Sequence, residues 1–343
     1  MSPIRVGAVM FAKRFLPIAV GLVCLSQLPS TAAAQVFLTA WGRGYGTGDG
    51  QFKTPQGVAV GGSGEVYVSD GNNARVQVFA SGGSYLRKWS VSGAGIGSAL
   101  NIAVDASDNV YVAHMAHHLI IKYSSTGVPV TQWGVFGSGP GQLGDLFSLA
   151  VDAPGNVYVA DYWNHRVQVF TPLGAYVREW GTFGTGNGQF QFPDGLAVDA
   201  AGNVYVADNG NRRIQKFGND STYVTQWGSQ GAGDGQFGTP VRVAIGPQGN
   251  VYVVDNANSR VEAFTGEGAF ITKWGSSGTA PGQFRNPIGI ATNANGDIYV
   301  ADTNNSRIQV FGLGPTPVQG VTWGSMKARY RGERAQPAPQ DRP

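Results

Sequence analysis

The chain contains a single cysteine in 343 residues, Cys24. It sits in an apolar run near the N-terminal end, so everything after it lacks both a disulfide and a thiol nucleophile. Val23 precedes it where lipoprotein processing wants a small residue, which argues against a lipid anchor. Histidine is almost as scarce: of four in all, three fall within Ala-His-Met-Ala-His-His-Leu, residues 113–119. The apolar run, Phe15 to Leu25, is shorter than the roughly 20 residues a membrane-crossing helix needs. A basic excess is also missing once the ends are set aside. Residues 1–34 carry three cations and no acids and residues 325–343 five cations and two acids, so the rest has 24 − 3 − 5 = 16 basic and 21 − 0 − 2 = 19 acidic residues. A body at about −3 lacks the positive field of a phosphate-backbone binder, and no nucleic-acid partner is expected.

The two ends differ from what lies between. Arg5, Lys13 and Arg14, then the apolar run, then Ala32-Ala33-Ala34, form the three parts of a secretory signal over residues 1–34. Cleavage near Ala34 and export to the periplasm or beyond are expected, with no integral membrane span in the mature chain; retention as an uncleaved anchor is the alternative. Residues 325–343, SMKARYRGERAQPAPQDRP, are basic and proline-rich with little to bury and are expected to be disordered. Binding to an anionic surface is a second reading of that tail.

Between them runs a repeat. Trp41, Trp89, Trp133, Trp180, Trp227, Trp274 and Trp323 are spaced by 48, 44, 47, 47, 47 and 49 residues. A period in that range with strand-like content is the mark of propeller blades. The fourth copy states the unit: Leu196 to Val198, Val204 to Val206, Ile214 to Phe217 and Tyr223 to Trp227 are β-branched and aromatic runs separated by turn residues, four antiparallel strands in all. One such sheet leaves both faces of its apolar strands exposed; six in a closed circle bury them. The expected fold is all-β, a six-bladed β-propeller over residues 35–324, monomeric, closed by a terminal strand. Val36 to Trp41 and Gln319 to Trp323 both offer the last outer strand, and the N-terminal segment is the expected one.

Pro-x-Gly-[VL]-Ala-Val-Asp, Gly-Asn-Val-Tyr-Val-Ala-Asp and Asn-x-Arg-[VI]-Gln-Val-Phe recur over residues 41–323, and this pattern resembles the NHL repeat. The resemblance implies a six-bladed propeller of the bacterial exported type. A seven-bladed WD40 propeller is opposed by the lack of any Trp-Asp or Gly-His dipeptide. The fold hosts binding modules and enzymes alike, so function has to come from a site.

Comparing the copies separates scaffold from site. Gly-Gln-[Phe/Leu] recurs at 50–52, 141–143, 188–190, 235–237 and 282–284 and reads as packing between blades; no helix opens after it, so the phosphate-loop context is absent. An aspartate with an arginine five positions on recurs as Asp70/Arg75, Asp161/Arg166, Asp208/Arg213, Asp255/Arg260 and Asp302/Arg307, expected as bidentate structural ion pairs in which each residue exists for the other. Blade two has His114 and Leu119 instead. His117 then takes the place of a loop asparagine and His118 that of Ala74 or His165. Blade two is also short, with Ser98-Ala99-Leu100 near the place of Gly-Gln-Phe.

Zinc needs four ligands in a closed site and three plus water in a catalytic one. His114, His117, His118 and His165 are the conceivable set, but a strand and its loop are expected to point them apart, so neither metal nor cofactor is expected. Tyr162, Trp163 and His165 stand beside His117 and His118 as an aromatic and imidazole patch, read either as recognition anchors or as cover for loop backbone. Around the central mouth, just before the innermost strands, the variable residues include Gln56, Asp194 and Arg242. The latter two either grip a polar ligand or pair with each other.

Two functions stand. One is a non-enzymatic recognition or scaffold propeller binding a protein, peptide or glycan on its top face. The other is an enzyme resembling metal-dependent propeller lyases or lactonases, with Zn or Ca at the funnel. That resemblance implies histidines drawn from separate blades and acids at the centre, whereas here the histidines are confined to blades two and three. Ubiquitin-ligase partnership needs a zinc-binding RING, which one cysteine rules out.

Overall fold

The computed structural model describes residues 35–313 except 43, 92 and 94–99. The expected signal segment 1–34, the expected tail 325–343, the strand candidate Gln319–Trp323 and the pair Ser98-Ala99 lie outside the described residues. No helix among the described residues is long and apolar enough to cross a membrane.

Six four-stranded antiparallel sheets follow one another around the ring. Blade one spans 55–90, blade two 100–133, blade three 146–180, blade four 193–227 and blade five 240–274; blade six combines 287–313 with 35–41. The N-terminal strand Gln35–Trp41 completes that last sheet, pairing antiparallel with Arg307–Leu313 from Gln35↔Leu313 to Trp41↔Ile308. The first and last strands of the described residues are therefore hydrogen-bonded to each other, which closes the circle.

The burial pattern explains the composition of each strand. Val204–Asp208 and Arg213–Phe217, the middle strands of blade four, are buried at every position, because neighbouring blades cover both faces. The outer strand Tyr223–Trp227 alternates half-buried and exposed residues, as a one-sided strand should. In the turn between the first two strands Gly202 holds φ +84, a backbone conformation that side chains disfavour.

The tryptophan period has a physical basis. Each indole leaves the outer strand of its own sheet and packs on an aromatic ring of the next blade: Trp41 on Phe79 at 4.5 Å, Trp89 on Tyr123 at 6.0 Å, Trp133 on Phe170 at 6.2 Å, Trp180 on Phe217 at 5.6 Å, Trp227 on Phe264 at 5.8 Å and Trp274 on Phe311 at 5.7 Å. Glycine in the receiving blade makes room. At Gly127 an added Cβ would sit 2.4 Å from the Trp89 ring. One tryptophan per blade thus means one bolt per interface.

A second regularity concerns the innermost strands. Five of the six carry a register shift near their start, between Pro55/Gly57, Leu146/Ser148, Pro193/Leu196, Pro240/Arg242 and Pro287/Ile290. The variable residues of the central mouth sit inside these strands, at the bulge, and not before them as the sequence suggested. A bulge re-aims side chains, here toward the axis. Blade two pairs Leu100–Val104 with Val110–His114 without a shift.

Candidate functional site

The recurrent aspartate and arginine form a latch for the links between blades. In blade one Arg75 Nε donates to Asp70 Oδ2 at 2.8 Å, while its Nη1 and Nη2 donate to the carbonyls of Thr47 (2.6 Å), Gly48 (3.0 Å) and Gln51 (2.7 Å) in the preceding link. Gln77 Nε2 joins them on Gln51 O at 2.7 Å, and Asn73 Nδ2 donates to Asp70 Oδ2 at 2.7 Å. The Nε–Oδ2 contact returns for Asp161/Arg166 (2.9 Å), Asp208/Arg213 (2.7 Å), Asp255/Arg260 (3.2 Å) and Asp302/Arg307 (2.7 Å).

The expected ion pairs of Arg75, Arg166, Arg213, Arg260 and Arg307 thus form, but through one Nε–Oδ2 contact each and not bidentately. One guanidinium edge meets the carboxylate and the rest satisfies backbone carbonyls that burial would otherwise strand. Two of the five, Arg166 and Arg260, also meet a second acid. Beyond Asp161 and the carbonyls of Ser138 (2.8 Å), Gly139 (3.0 Å) and Gln142 (2.8 Å), Arg166 Nη1 forms a second ion pair with Glu179 Oε2 at 2.9 Å. Glu179 lies on the outer strand of blade three, where blade four offers Arg213 the neutral Gln226 Oε1 at 2.5 Å. Arg166 is thus shared between two acids and does not belong to Asp161 alone, because its five N–H donors outnumber what one carboxylate can take. The Gly-Gln-[Phe/Leu] triplet belongs to the same device. Its ring is core, with Phe52 fully buried, and the Gln51 side chain accepts from Gly48 N–H at 2.9 Å to fold the link on itself.

Blade two has lost the whole latch: His114, His117, Leu119 and Ile121 stand where the other blades have aspartate, asparagine, arginine and glutamine, or Glu262 for the glutamine in blade five. His114 is fully buried, and burial, followed by the neighbouring His117, holds its imidazole below the usual range. The sequence expectation that these histidines point apart is half right. His114 Nε2 and His117 Nδ1 meet at 3.1 Å. His118 turns away, with Nδ1 2.9 Å from Gly144 O. His165 does not reach them: its Nδ1 accepts from Phe192 N–H at 3.1 Å, and burial lowers its pKa as well. Among the described residues no three His, Cys, Asp or Glu side chains converge to hold a metal, so the residues present do not fit the ion that a lyase or lactonase reading requires. Titrating micromolar Zn²⁺ into the protein is expected to give no heat of binding; saturation at one equivalent would overturn this.

Beside the histidines lies an aromatic shelf. Trp163 is 56% exposed, yet its Nε1 donates to Asp145 Oδ2 at 2.7 Å, which fixes the indole's orientation. Tyr162 packs on Phe147 at 4.5 Å and on Phe192 at 5.1 Å. His165 bridges Phe192 (4.8 Å) and Phe183 (4.9 Å), and His118 packs on Phe136 at 4.7 Å. Phe136 and Phe183 are 70% and 61% exposed. Sequence reading missed these two and Phe192. Comparing the links would have shown Phe136 and Phe183, because Tyr45, Phe136, Phe183, Gln230 and Ser277 make the same isolated bridge in successive links.

Through Phe147 the shelf meets the central funnel, a cavity of ≈ 200 Å³ whose lining includes Gln56, Asn101, Met115, Asp194, Arg242, Asn256 and Asn286. Asp194 and Arg242 settle the choice the sequence left open by pairing with each other across the funnel. Arg242 Nη2 also donates to Phe147 O at 2.6 Å, and Asn209 Nδ2 to Asp194 Oδ2 at 3.3 Å. Burial raises the Asp194 carboxyl, and the arginine opposes that shift. Met115, Asn256 and Asn286 were not singled out in the sequence, because they come from loops that only the ring brings to its axis.

No curated protein matches the chain. Among solved structures it is similar to a streptogramin B lyase (13% identity, 80% of this chain and 98% of that one, TM-score 0.58). It is likewise similar to a gluconolactonase from Xanthomonas campestris (15%, 82% and 90%, TM-score 0.59) and an auxiliary nutrient binding protein from Bacteroides thetaiotaomicron (13%, 76% and 69%, TM-score 0.57). At such identity the likeness shows the fold alone. The NHL repeat profile matches residues 52–79, 148–170, 190–217, 237–264 and 284–311. The blade it passes over is blade two, the one without a latch. Five matched repeats on six sheets of one topology make this chain a member of the NHL-repeat β-propeller family.

Proposed function

We propose that this chain is an exported recognition propeller whose top face binds a protein, peptide or glycan without chemical turnover. The observation that carries the reading is the aromatic shelf: Phe136, Trp163 and Phe183 spend large apolar surface on solvent while the core is filled without them. Aromatic groups held rigid and half exposed are the usual anchors of a binding surface, since ordering them again on contact costs little entropy. The enzyme reading has less support. The funnel's one acid is tied to Arg242, and the histidines are engaged within blades two and three.

Peptide and glycan arrays probed with the wild-type protein supply the ligand, and Trp163→Ala supplies the test. The substitution should weaken binding at least about tenfold, or 1.4 kcal/mol. It should lower stability by less than about 1 kcal/mol, because a loop side chain leaves no core cavity. Unchanged affinity would overturn the shelf as the contact surface. Turnover of lactone or lyase substrates with added Zn²⁺ or Ca²⁺ would overturn the non-enzymatic reading.

A further inference from the structure

The funnel behind the shelf has a chemistry of its own. Its two charged groups, Asp194 and Arg242, are each under a tenth exposed and matched to each other. A charged ligand would have to break a buried pair, which costs several kcal/mol. The remaining polar wall is made of side-chain amides. Asn101 Oδ1 accepts from Leu149 N–H at 3.3 Å, and Asn256 Nδ2 donates to Asn286 Oδ1 at 2.8 Å and to Pro287 O at 2.8 Å. That leaves Asn101 Nδ2 and Asn286 Nδ2 as donors and Asn256 Oδ1 as an acceptor, with no partner among the described residues. Phe147 and Ile288 supply an apolar side. At ≈ 200 Å³ the cavity is smaller than the roughly 300–1,000 Å³ of pockets for drug-sized molecules and suits one ring.

Resting on the top-face reading, we propose that the funnel takes a single neutral sugar ring, the end of a glycan whose following units lie on the aromatic shelf. A hydroxyl both donates and accepts, which answers a wall of mixed amide donors and acceptors better than a carboxylate or an ammonium does. The C–H face of the ring meets Phe147. The Phe147 ring packs in turn on Tyr162, tilted against it, so funnel and shelf form one continuous path.

Saturation-transfer NMR and calorimetry with glucose, galactose, mannose, N-acetylglucosamine and gluconate test this on the wild-type protein. At least one neutral sugar is expected to bind with a Kd in the millimolar range or tighter. Ile288→Trp, which fills the funnel, should weaken it at least about tenfold, and Asn256→Ser should weaken it in the same direction, both variants being checked by thermal melts. Trp163→Ala should leave the monosaccharide affinity within about twofold while reducing array binding. That contrast separates the funnel from the shelf: intact array binding with no saturable sugar signal overturns the funnel proposal alone. Gluconate binding above every neutral sugar, or sugar binding unchanged in Ile288→Trp when that variant melts like wild type, also overturns it.

Discussion

Deleting Gln35–Ala40 is expected to lower the melting temperature by at least about 10 °C. The segment supplies the outer strand of blade six, and its loss strips the hydrogen-bonding edge from Arg307–Leu313. It also removes Phe37, packed on Phe311 at 6.0 Å, and Leu38, which packs against the core between blades six and one. Losing two partly buried apolar side chains and several backbone hydrogen bonds costs about 4 kcal/mol or more. For a domain of this size each kcal/mol moves the melting point by about 2–4 °C. The effect exceeds that of trimming an ordinary edge strand because this strand joins the two ends of the ring. Without it blades six and one are held by side-chain packing and by hydrogen bonds such as Thr303 Oγ1 to Pro55 O at 2.7 Å, with no strand of the chain's start tied into blade six. A melting temperature unchanged by the deletion would mean that another segment completes the sixth sheet.

The second large effect is expected at Glu262, where the latch of blade five departs from the rule. In four blades a glutamine fills this position and donates Nε2 to a link carbonyl, as Gln168 does to Gln142 O at 2.6 Å and Gln309 to Gln283 O at 2.6 Å. Glu262 is fully buried and keeps one of the contacts, accepting from Gly235 N–H at 2.9 Å through Oε2. Its Oε1 takes the place of the amide nitrogen. It lies 2.6 Å from Arg260 Nη2 but accepts no aligned hydrogen bond. Burial pushes the carboxyl up to about 7, and the charge of Asp255 adds to the shift. When protonated it can donate as the glutamines do; when ionised it sets an acceptor where the other blades place a donor.

The sign follows from proton counting. The folded pKa lies above the ordinary value of 4.5. Between 4.5 and about 7 the folded chain therefore holds a proton that the unfolded chain has released, and stability falls as pH rises. The stabilisation is complete below 4.5 and lost above about 7, a span worth about 3 kcal/mol. Glu262→Gln should accordingly melt well above wild type at about pH 8 and close to it at about pH 4.5. Denaturant titrations of both proteins across that window check it, and a wild-type minus variant difference that stays flat with pH would refute it. Because the measurement is a difference, the histidines cancel.

How far the sequence reached is clearest position by position. The period of the tryptophans announced the number of blades, and alternation against continuous apolar runs told outer strands from inner ones, because both depend only on local pattern. Comparing copies also showed that Asp70 and Arg75 answer each other and that blade two had dropped the pair. It did not show that Arg75 serves Thr47, Gly48 and Gln51, since a carbonyl left by a link has no signature in the sequence. Nor did it show that Arg166, expected to pair with Asp161, also holds Glu179, because the outer strand that carries this acid meets the arginine only once the sheet has formed. That His114 and His117 meet while His118 and His165 face elsewhere was hidden too, since the partners of the latter two, Gly144 and Phe192, come from links that only the fold brings beside them.

The site divides along the same line. Trp163 and Tyr162 stood out because the other blades put small residues there, and Asp194 and Arg242 because they vary at the mouth. Their arrangement did not follow. Phe136, Phe183 and Phe192 share one shelf with Trp163, and Asn256 and Asn286 line one cavity with Arg242, although they come from different parts of the ring. The repeat by itself determined fold class, blade count and scaffold residues, because each unit carries the same short-range instructions. Only the closed ring decided which variable side chains share a surface, because it sets the residues of distant blades around one axis.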